Sequence, residues 1–283
     1  MKKGLVMEGG ALKGLFTCGV LDVFMENGIT FDTAAGVSAG AVFGCNFKSR
    51  QIGRPLRYNK RFCKDKRYAS WQSFLKTGNL YGVEFCYHTI PWELDLWDEK
   101  TFRENPMEFY AVSTDLSTGG PVYYKCEKGD PDDVEWMRAS ASVPILSKIV
   151  EIGGRKLLDG GVADPIPLKF MERQNCDRIV VITTKPAFFQ RKSDKKVLML
   201  EKWVYREYPQ FVSALMRHTD FYNEQMKYLA QQEKDGKCLV IRPGELLKIS
   251  GTESDPEVME HVYQLGRKEA AGRLSEIRDY LTE

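Results

Sequence analysis

The 283-residue chain has no run of about 18 apolar residues, the length a helix needs to cross a bilayer, so no spanning helix is expected. Its opening Met1-Lys2-Lys3 leads into an apolar stretch that ends at Glu8, too short for the core of a secretory signal. The seven cysteines are odd in number, widely spaced and without a Cys-x-x-Cys pair. That pattern argues against a zinc site or a disulfide framework and predicts reduced thiols in a cytoplasmic protein, with export by a route needing no cleaved signal left open. Histidine is scarce, occurring only as His88, His218 and His261. No carboxylate cluster has ligand-like spacing, so neither a metal nor a cofactor is expected. Internal repeats and low-complexity tracts are absent. So is any nucleic-acid recognition motif, and with a pI of about 8.0 no nucleic-acid partner is expected.

What the chain does have is 43% apolar residues, enough to bury a large core as one domain or as a domain with an extension. It also has Gly36-Val37-Ser38-Ala39-Gly40, a Gly-x-Ser-x-Gly pattern whose surroundings give it a reason. Thr33-Ala34-Ala35 reads as the end of a short buried strand, and residues 39–47 are apolar on nearly every face, as in an internal helix. A serine between strand and helix sits on a strained turn, where small neighbours at Gly36 and Gly40 let the backbone bend and lift the hydroxyl clear of the sheet. That geometry suits a nucleophile. The plainer reading is a small-residue turn, which composition alone yields about 0.1 times in a chain this long.

Two further motifs give the pattern company. Gly4-Leu5-Val6-Met7 is a short apolar run followed by Glu8-Gly9-Gly10-Ala11-Leu12-Lys13-Gly14. Leu15, Phe16, Val20, Val23 and Phe24 then recur near helical spacing until Asn27-Gly28. A strand, a small-residue loop and a helix start together present bare backbone N–H groups to an anion. In acyl transfer that anion is the tetrahedral oxyanion, and each donor to it is worth roughly 3–4 kcal/mol of barrier. Far downstream, Leu157-Leu158-Asp159-Gly160-Gly161 sets a carboxylate at the end of an apolar run, beside two glycines that admit other backbone closely. By itself Asp-Gly-Gly is a common turn.

In this order the three motifs, with Arg138-Ala139-Ser140-Ala141-Ser142-Val143-Pro144 leading toward the aspartate, resemble the patatin-like phospholipase family over roughly residues 3–185. The resemblance implies a three-layer α/β/α sandwich with a mainly parallel central sheet, and acyl-ester hydrolysis by a serine–aspartate dyad without histidine. Carried over by position, Ser38 is the nucleophile and Asp159 the base. The amides of Gly9, Gly10 and Ala11 form the oxyanion hole, and Lys13 matches the family's basic residue beside it. Two departures stand out: Ala11 replaces the usual third glycine, and Glu8 replaces an aspartate. A left-handed backbone at position 11 would cost alanine about 1–2 kcal/mol, and a β-region backbone nothing.

Other chemistries fit less well. An α/β-hydrolase triad would take His218 or His261 as its last member, yet both fall in helical stretches, and His88 lies in an aromatic loop before Pro91. The glycine loop lacks the Gly-Lys-Ser/Thr of a phosphate-binding loop and has Ala11 where a dinucleotide loop needs glycine. A catalytically silent phosphate- or lipid-binding protein would not require serine, aspartate and loop together. The expected substrate is therefore a lipid or another acyl ester, with a non-lipid carboxylesterase or thioesterase using the same dyad as the alternative.

Charge is uneven. Nine Lys/Arg between residues 48 and 67 face a single acid, Asp65, so this segment carries +8 against a net +2 for the chain. Tyr58 and Phe62 are interleaved, and Tyr68, Trp71 and Phe74 follow. Such an edge suits peripheral contact with anionic lipid headgroups, and equally a solvated helix face. Residues 109–113 and 178–183 read as buried strands, 122–124 as an antiparallel addition, 132–140 as a helix, 194–235 as one or two long helices, 238–241 as a last strand and 255–281 as a closing helix. A boundary near 186–194 would divide a catalytic domain, 1–190, from a mostly helical C-terminal extension, 191–283, packed on it.

Overall fold

The computed structural model describes residues 1–282. Eight strands form one sheet: β1 (Lys3–Met7), β2 (Thr33–Val37), β3 (Glu108–Asp115), β4 (Pro121–Cys126), β5 (Val150–Ile152), β6 (Arg155–Asp159), β7 (Arg178–Ile182) and β8 (Leu239–Ile241). Their order is β5-β6-β3-β2-β1-β7-β8, with β4 also paired to β3. The run from β3 through β8 is parallel, whereas β4, β5 and β6 join antiparallel. The sheet is therefore mixed and mostly parallel, as the sequence implies.

The helices are α1 (Gly14–Glu26), α2 (Ala39–Val42), α3 (Cys45–Lys48), α4 (Arg54–Phe62), α5 (Trp71–Thr77), α6 (Glu99–Glu104), α7 (Pro131–Ser140), α8 (Leu168–Arg173), α9 (Lys195–Val204), α10 (Pro209–Lys234), α11 (Pro256–Gly272) and α12 (Leu274–Thr282). Successive strand side chains point to opposite faces, and the burial follows that period. Leu5, Met7, Val180, Ile182 and Ile241 join a core with α1, α2, α11 and α12. Val6, Ala35, Val181 and Val240 join one with α8 and α10 on the other face. Three layers result, with α10 to α12 forming the C-terminal helical region. Two polar ties hold α11 to α1: Tyr263 Oη donates to buried Asp22 at 2.7 Å, and Arg267 pairs with Glu26 at 2.7 Å. Among the described residues, no helix is long and apolar enough to cross a membrane.

Two stretches that read as single helices are split. Residues 39–47 break at Phe43-Gly44, where Asn46 Nδ2 takes the Phe43 carbonyl at 2.9 Å in competition with the helix ladder. The closing helix breaks at Arg273, just past Gly272, with the guanidinium donating to the Val240 carbonyl at 2.7 Å. The basic segment is partly turned inward. Lys48 and Arg54 are buried, Arg54 and Arg57 share Asp95 at 3.2 and 2.8 Å, and Lys60 pairs with Glu260 at 2.8 Å. Arg50, Lys64 and Lys66 remain exposed.

Candidate active site

Ser38 follows the last residue of β2 and caps α2. Its φ of 53° and ψ of −119° lie in a sparsely populated region that costs a non-glycine residue on the order of 1–3 kcal/mol. The turn exists because its neighbours are glycines: a Cβ on Gly36 would stand 2.2 Å from the Gly40 carbonyl oxygen, and one on Gly40 2.3 Å from that of Met7. Ser140 pins the bend. Its Oγ accepts from the Ser38 amide at 2.9 Å and donates to the Val112 carbonyl at 2.5 Å.

Asp159 ends β6 and is buried. Its backbone is held from two sides, the amide donating to the Ser142 carbonyl at 2.8 Å and the carbonyl accepting from Thr114 Oγ1 at 2.8 Å. Oδ1 accepts from the Gly161 amide at 2.7 Å. The hydroxyl of Ser38 lies close enough to the same carboxyl group to hold its pKa down. Burial pushes the Asp159 pKa up to about 6, while Ser38, the Gly161 amide and the charge of Arg191 pull it back. Gly160 lets the turn close against β3, since a Cβ there would stand 2.0 Å from the Val112 carbonyl oxygen.

The third group follows β1. Gly9 lies against the serine, its Cβ direction meeting Ser38 Cβ at 2.8 Å and Oγ at 3.6 Å. Among the described residues the amides of Gly9, Gly10 and Ala11 have no hydrogen-bond acceptor. Gly10 has φ 153° and Ala11 φ 49°, so alanine here carries the left-handed strain that glycine avoids. Lys13 Nζ turns to the Ile249 carbonyl at 3.1 Å, and burial lowers its pKa.

Glu8 explains one departure from the family pattern. Its buried carboxylate accepts from the Thr184 amide at 2.6 Å and from Tyr222 Oη, on α10, at 2.7 Å. Thr184 Oγ1 donates to the Gly9 carbonyl at 2.7 Å, so the glycine loop is anchored to the end of β7 and to the C-terminal region. Tyr222→Phe removes one donor from a buried charge and is expected to lower stability by about 1.5–3 kcal/mol, read as a shift in urea midpoint. An unchanged midpoint would mean that the bond holds nothing.

Residues 138–144, quoted above only as part of the resemblance, therefore support both Ser38 and Asp159. Tyr222, Thr184 and Arg191 had no signal in the sequence as site neighbours, and His218 was visible there only as a poorly fitting triad member. His218 does approach the Asp-Gly-Gly turn, but its Nε2 meets Arg191 Nη1 at 2.9 Å. Burial, then Arg191, push its pKa down to about 4, against the backbone of Gly161. It is thus a neutral neighbour facing a guanidinium. His261 is exposed, and His88 lies 3.5 Å from Glu135.

Beside Ser38 opens an apolar cavity of about 170 Å³, with Phe43, Tyr58, Tyr68, Leu80, Met137 and Leu146 in its wall and Ala11 and Gly251 at its edge. Tyr81 Oη donates to the Gly251 carbonyl, fixing that edge. A serine, a carboxylate near neutral pH, unpaired amides and an apolar chamber can together transfer an acyl group that carries a hydrocarbon tail. Among the described residues, no group of three or more His, Cys, Asp or Glu is placed to hold a metal ion.

The model of the patatin-like phospholipase family matches residues 5–171, and that of a domain of unknown function (DUF6363) matches 208–282. The uncharacterized protein YjjU of Escherichia coli is 27% identical over 286 aligned positions, spanning 99% of this chain and 79% of that one. An uncharacterized NTE family protein of Mycobacterium tuberculosis is 23% identical over 71% of this chain, which spans 54% of its length. The lysophospholipase nte1 of Aspergillus terreus is 25% identical over 63% of this chain and 12% of its own. Among solved structures, VipD from Legionella pneumophila aligns over 97% of this chain and 67% of that one, with a TM-score of 0.47 and 14% identity.

Proposed function

The chain belongs to the patatin-like phospholipase family, and from that premise we propose that it is a serine hydrolase cleaving the acyl esters of lipids through a Ser38–Asp159 dyad. The observation that supports the reading is the strained Ser38 turn packed against Gly9, with the buried, pKa-raised carboxyl group of Asp159 near its hydroxyl and an apolar chamber beside it. Ser38 Oγ attacks the ester carbonyl carbon while Asp159 takes its proton. The oxyanion settles against the amides of Gly9, Gly10 and Ala11. Collapse of the tetrahedral intermediate breaks the ester C–O bond, and protonated Asp159 gives its proton to the leaving alcohol. Water, deprotonated by the same carboxylate, then releases the acyl group and restores Ser38.

A carboxylate is an ordinary base only near pH 4, so its rise to about 6 brings it closer to a neutral working pH. The remaining barrier falls to the amide cradle. A fluorophosphonate probe followed by a substrate panel tests the reading. Wild type is expected to label at Ser38 and to prefer lysophospholipid or phospholipid over short p-nitrophenyl esters. Absence of labelling removes the serine-hydrolase reading, and a preference for short soluble esters or thioesters replaces the lipid by a small acyl ester.

A further inference from the structure

Two helices carry apolar side chains that the rest of the chain leaves uncovered. α9 buries none of its residues; Met199 and Trp203, one turn apart, are 73% and 66% exposed, with Leu200 beside them. α5 also buries none, and Trp71 and Leu75, again one turn apart, are 64% and 84% exposed. Single apolar residues are ordinary on a protein surface, whereas apolar faces shared by residues four apart mark places where something docks.

Both helices flank the segment 143–148, whose Val143, Leu146 and Ser147 line the cavity beside Ser38. On one side the Ile145 amide donates to Tyr205 Oη, immediately after α9, at 2.8 Å. On the other, the Leu80 amide donates to the Leu146 carbonyl at 2.8 Å and the Lys148 amide to Asn79 Oδ1 at 2.9 Å, just past α5. Val143 itself is 39% exposed, so this cavity-lining segment also reaches the surface. Both helices are thus tied, through residues next to them, to the segment that lines the cavity.

Cations accompany both. Exposed Lys195, Lys196 and Lys202 share α9 with its apolar residues, exposed Lys76 shares α5, and the carbonyl of exposed Lys66 accepts from Ser70, the cap of α5, at 2.7 Å. Between residues 191 and 206 only Asp194 and Glu201 oppose six Lys/Arg. Tryptophan and methionine accompanied by lysine suit the boundary between headgroups and acyl chains, where apolar bodies insert and ammonium groups meet phosphate. A second copy of the chain fits worse, because it would bring the same lysines against one another.

We propose that the exposed faces of α5 and α9 form a docking surface for an anionic phospholipid bilayer, bringing the cavity-lining segment 143–148 to it. The purpose of the contact, though not the contact itself, rests on the lipid-hydrolase reading. Co-sedimentation of the full chain carrying Ser38→Ala, with phosphatidylcholine vesicles containing or lacking phosphatidylglycerol, tests it without consuming the lipid. Binding is expected only with phosphatidylglycerol and is expected to weaken as salt rises. Adding Trp71→Ser, Leu75→Ser, Met199→Ser and Trp203→Ser should weaken it at least about tenfold, with the thermal midpoint unchanged. With Ser38 intact, the same four substitutions should leave hydrolysis of a dissolved p-nitrophenyl ester as it was and depress only that of vesicle phospholipid. Vesicle binding unaffected by the four substitutions, or indifferent to phosphatidylglycerol, overturns the proposal. So does sedimentation velocity showing that they dissociate a dimer, which would assign the surface to a second copy. If the surface binds vesicles but the Ser38 chain hydrolyses nothing, docking stands and the esterase reading falls.

Discussion

Ser38→Ala is expected to abolish turnover, lowering kcat by about 10⁴-fold or more, since the members of a nucleophilic unit act together and removing one costs nearly as much as removing all. The substitution deletes one oxygen and keeps the Cβ, so the strained backbone at φ 53° meets the same sterics as before. The Ser140 bond to the residue 38 amide is likewise retained, because it uses backbone. Folding should therefore survive while chemistry stops. Turnover of lysophospholipid and labelling by fluorophosphonate, measured beside the thermal midpoint, separate the two. Labelling that persists in a folded Ser38→Ala protein would place the nucleophile elsewhere.

Asp159→Asn is expected to cost about 10³–10⁴-fold in kcat, because an amide of the same shape can still accept from Gly161 but cannot take the proton of Ser38. The pH dependence carries the same information. Asp159 must be ionised to act as base, and burial raises its pKa to about 6. Wild-type kcat/KM should consequently fall about tenfold per pH unit below pH 6 and level off above it. Stability runs the opposite way. A carboxyl group whose pKa is higher in the folded than in the unfolded chain favours folding most when protonated, and that contribution is lost as pH rises from about 4 to about 6. At neutral pH the Asn variant should therefore melt above wild type while being nearly inert. A double His218→Ala, His261→Ala variant that loses as much activity as Asp159→Asn would restore a histidine base. Activity kept within about tenfold keeps the dyad.

Much of this arrangement is legible in the residues because it is local. Short apolar runs mark β1, β2 and β7, and the strand–serine–helix turn at Ser38 needs only its own glycines to be recognised. Asp159-Gly160-Gly161 is visible as a motif, although only order along the chain links it to Ser38. The supports are invisible for the opposite reason. Ser140 meets Ser38 across 102 positions, and Tyr222 meets Glu8 across 214. No periodicity or turn rule spans such separations, so the reason for glutamate at position 8 emerges only from its distant donors. The basic segment teaches the same lesson. Its count of charges suggests an open cationic edge, yet Arg54 and Arg57 share Asp95, about forty positions on, and Lys60 meets Glu260. The break at Arg273 was hidden as well, since its guanidinium is drawn to a carbonyl on β8.

Ser140 and Ser142 are two positions apart, and between them they fasten the amide of Ser38 and the amide of Asp159. In the proposed mechanism, attacking atom and proton acceptor therefore ride on one mount. Thermal jitter of that mount shifts both in step, leaving the vector between them nearly constant, whereas independent anchors would let it wander. On that mechanism the proton's path would stay short without either side chain having to be immobile.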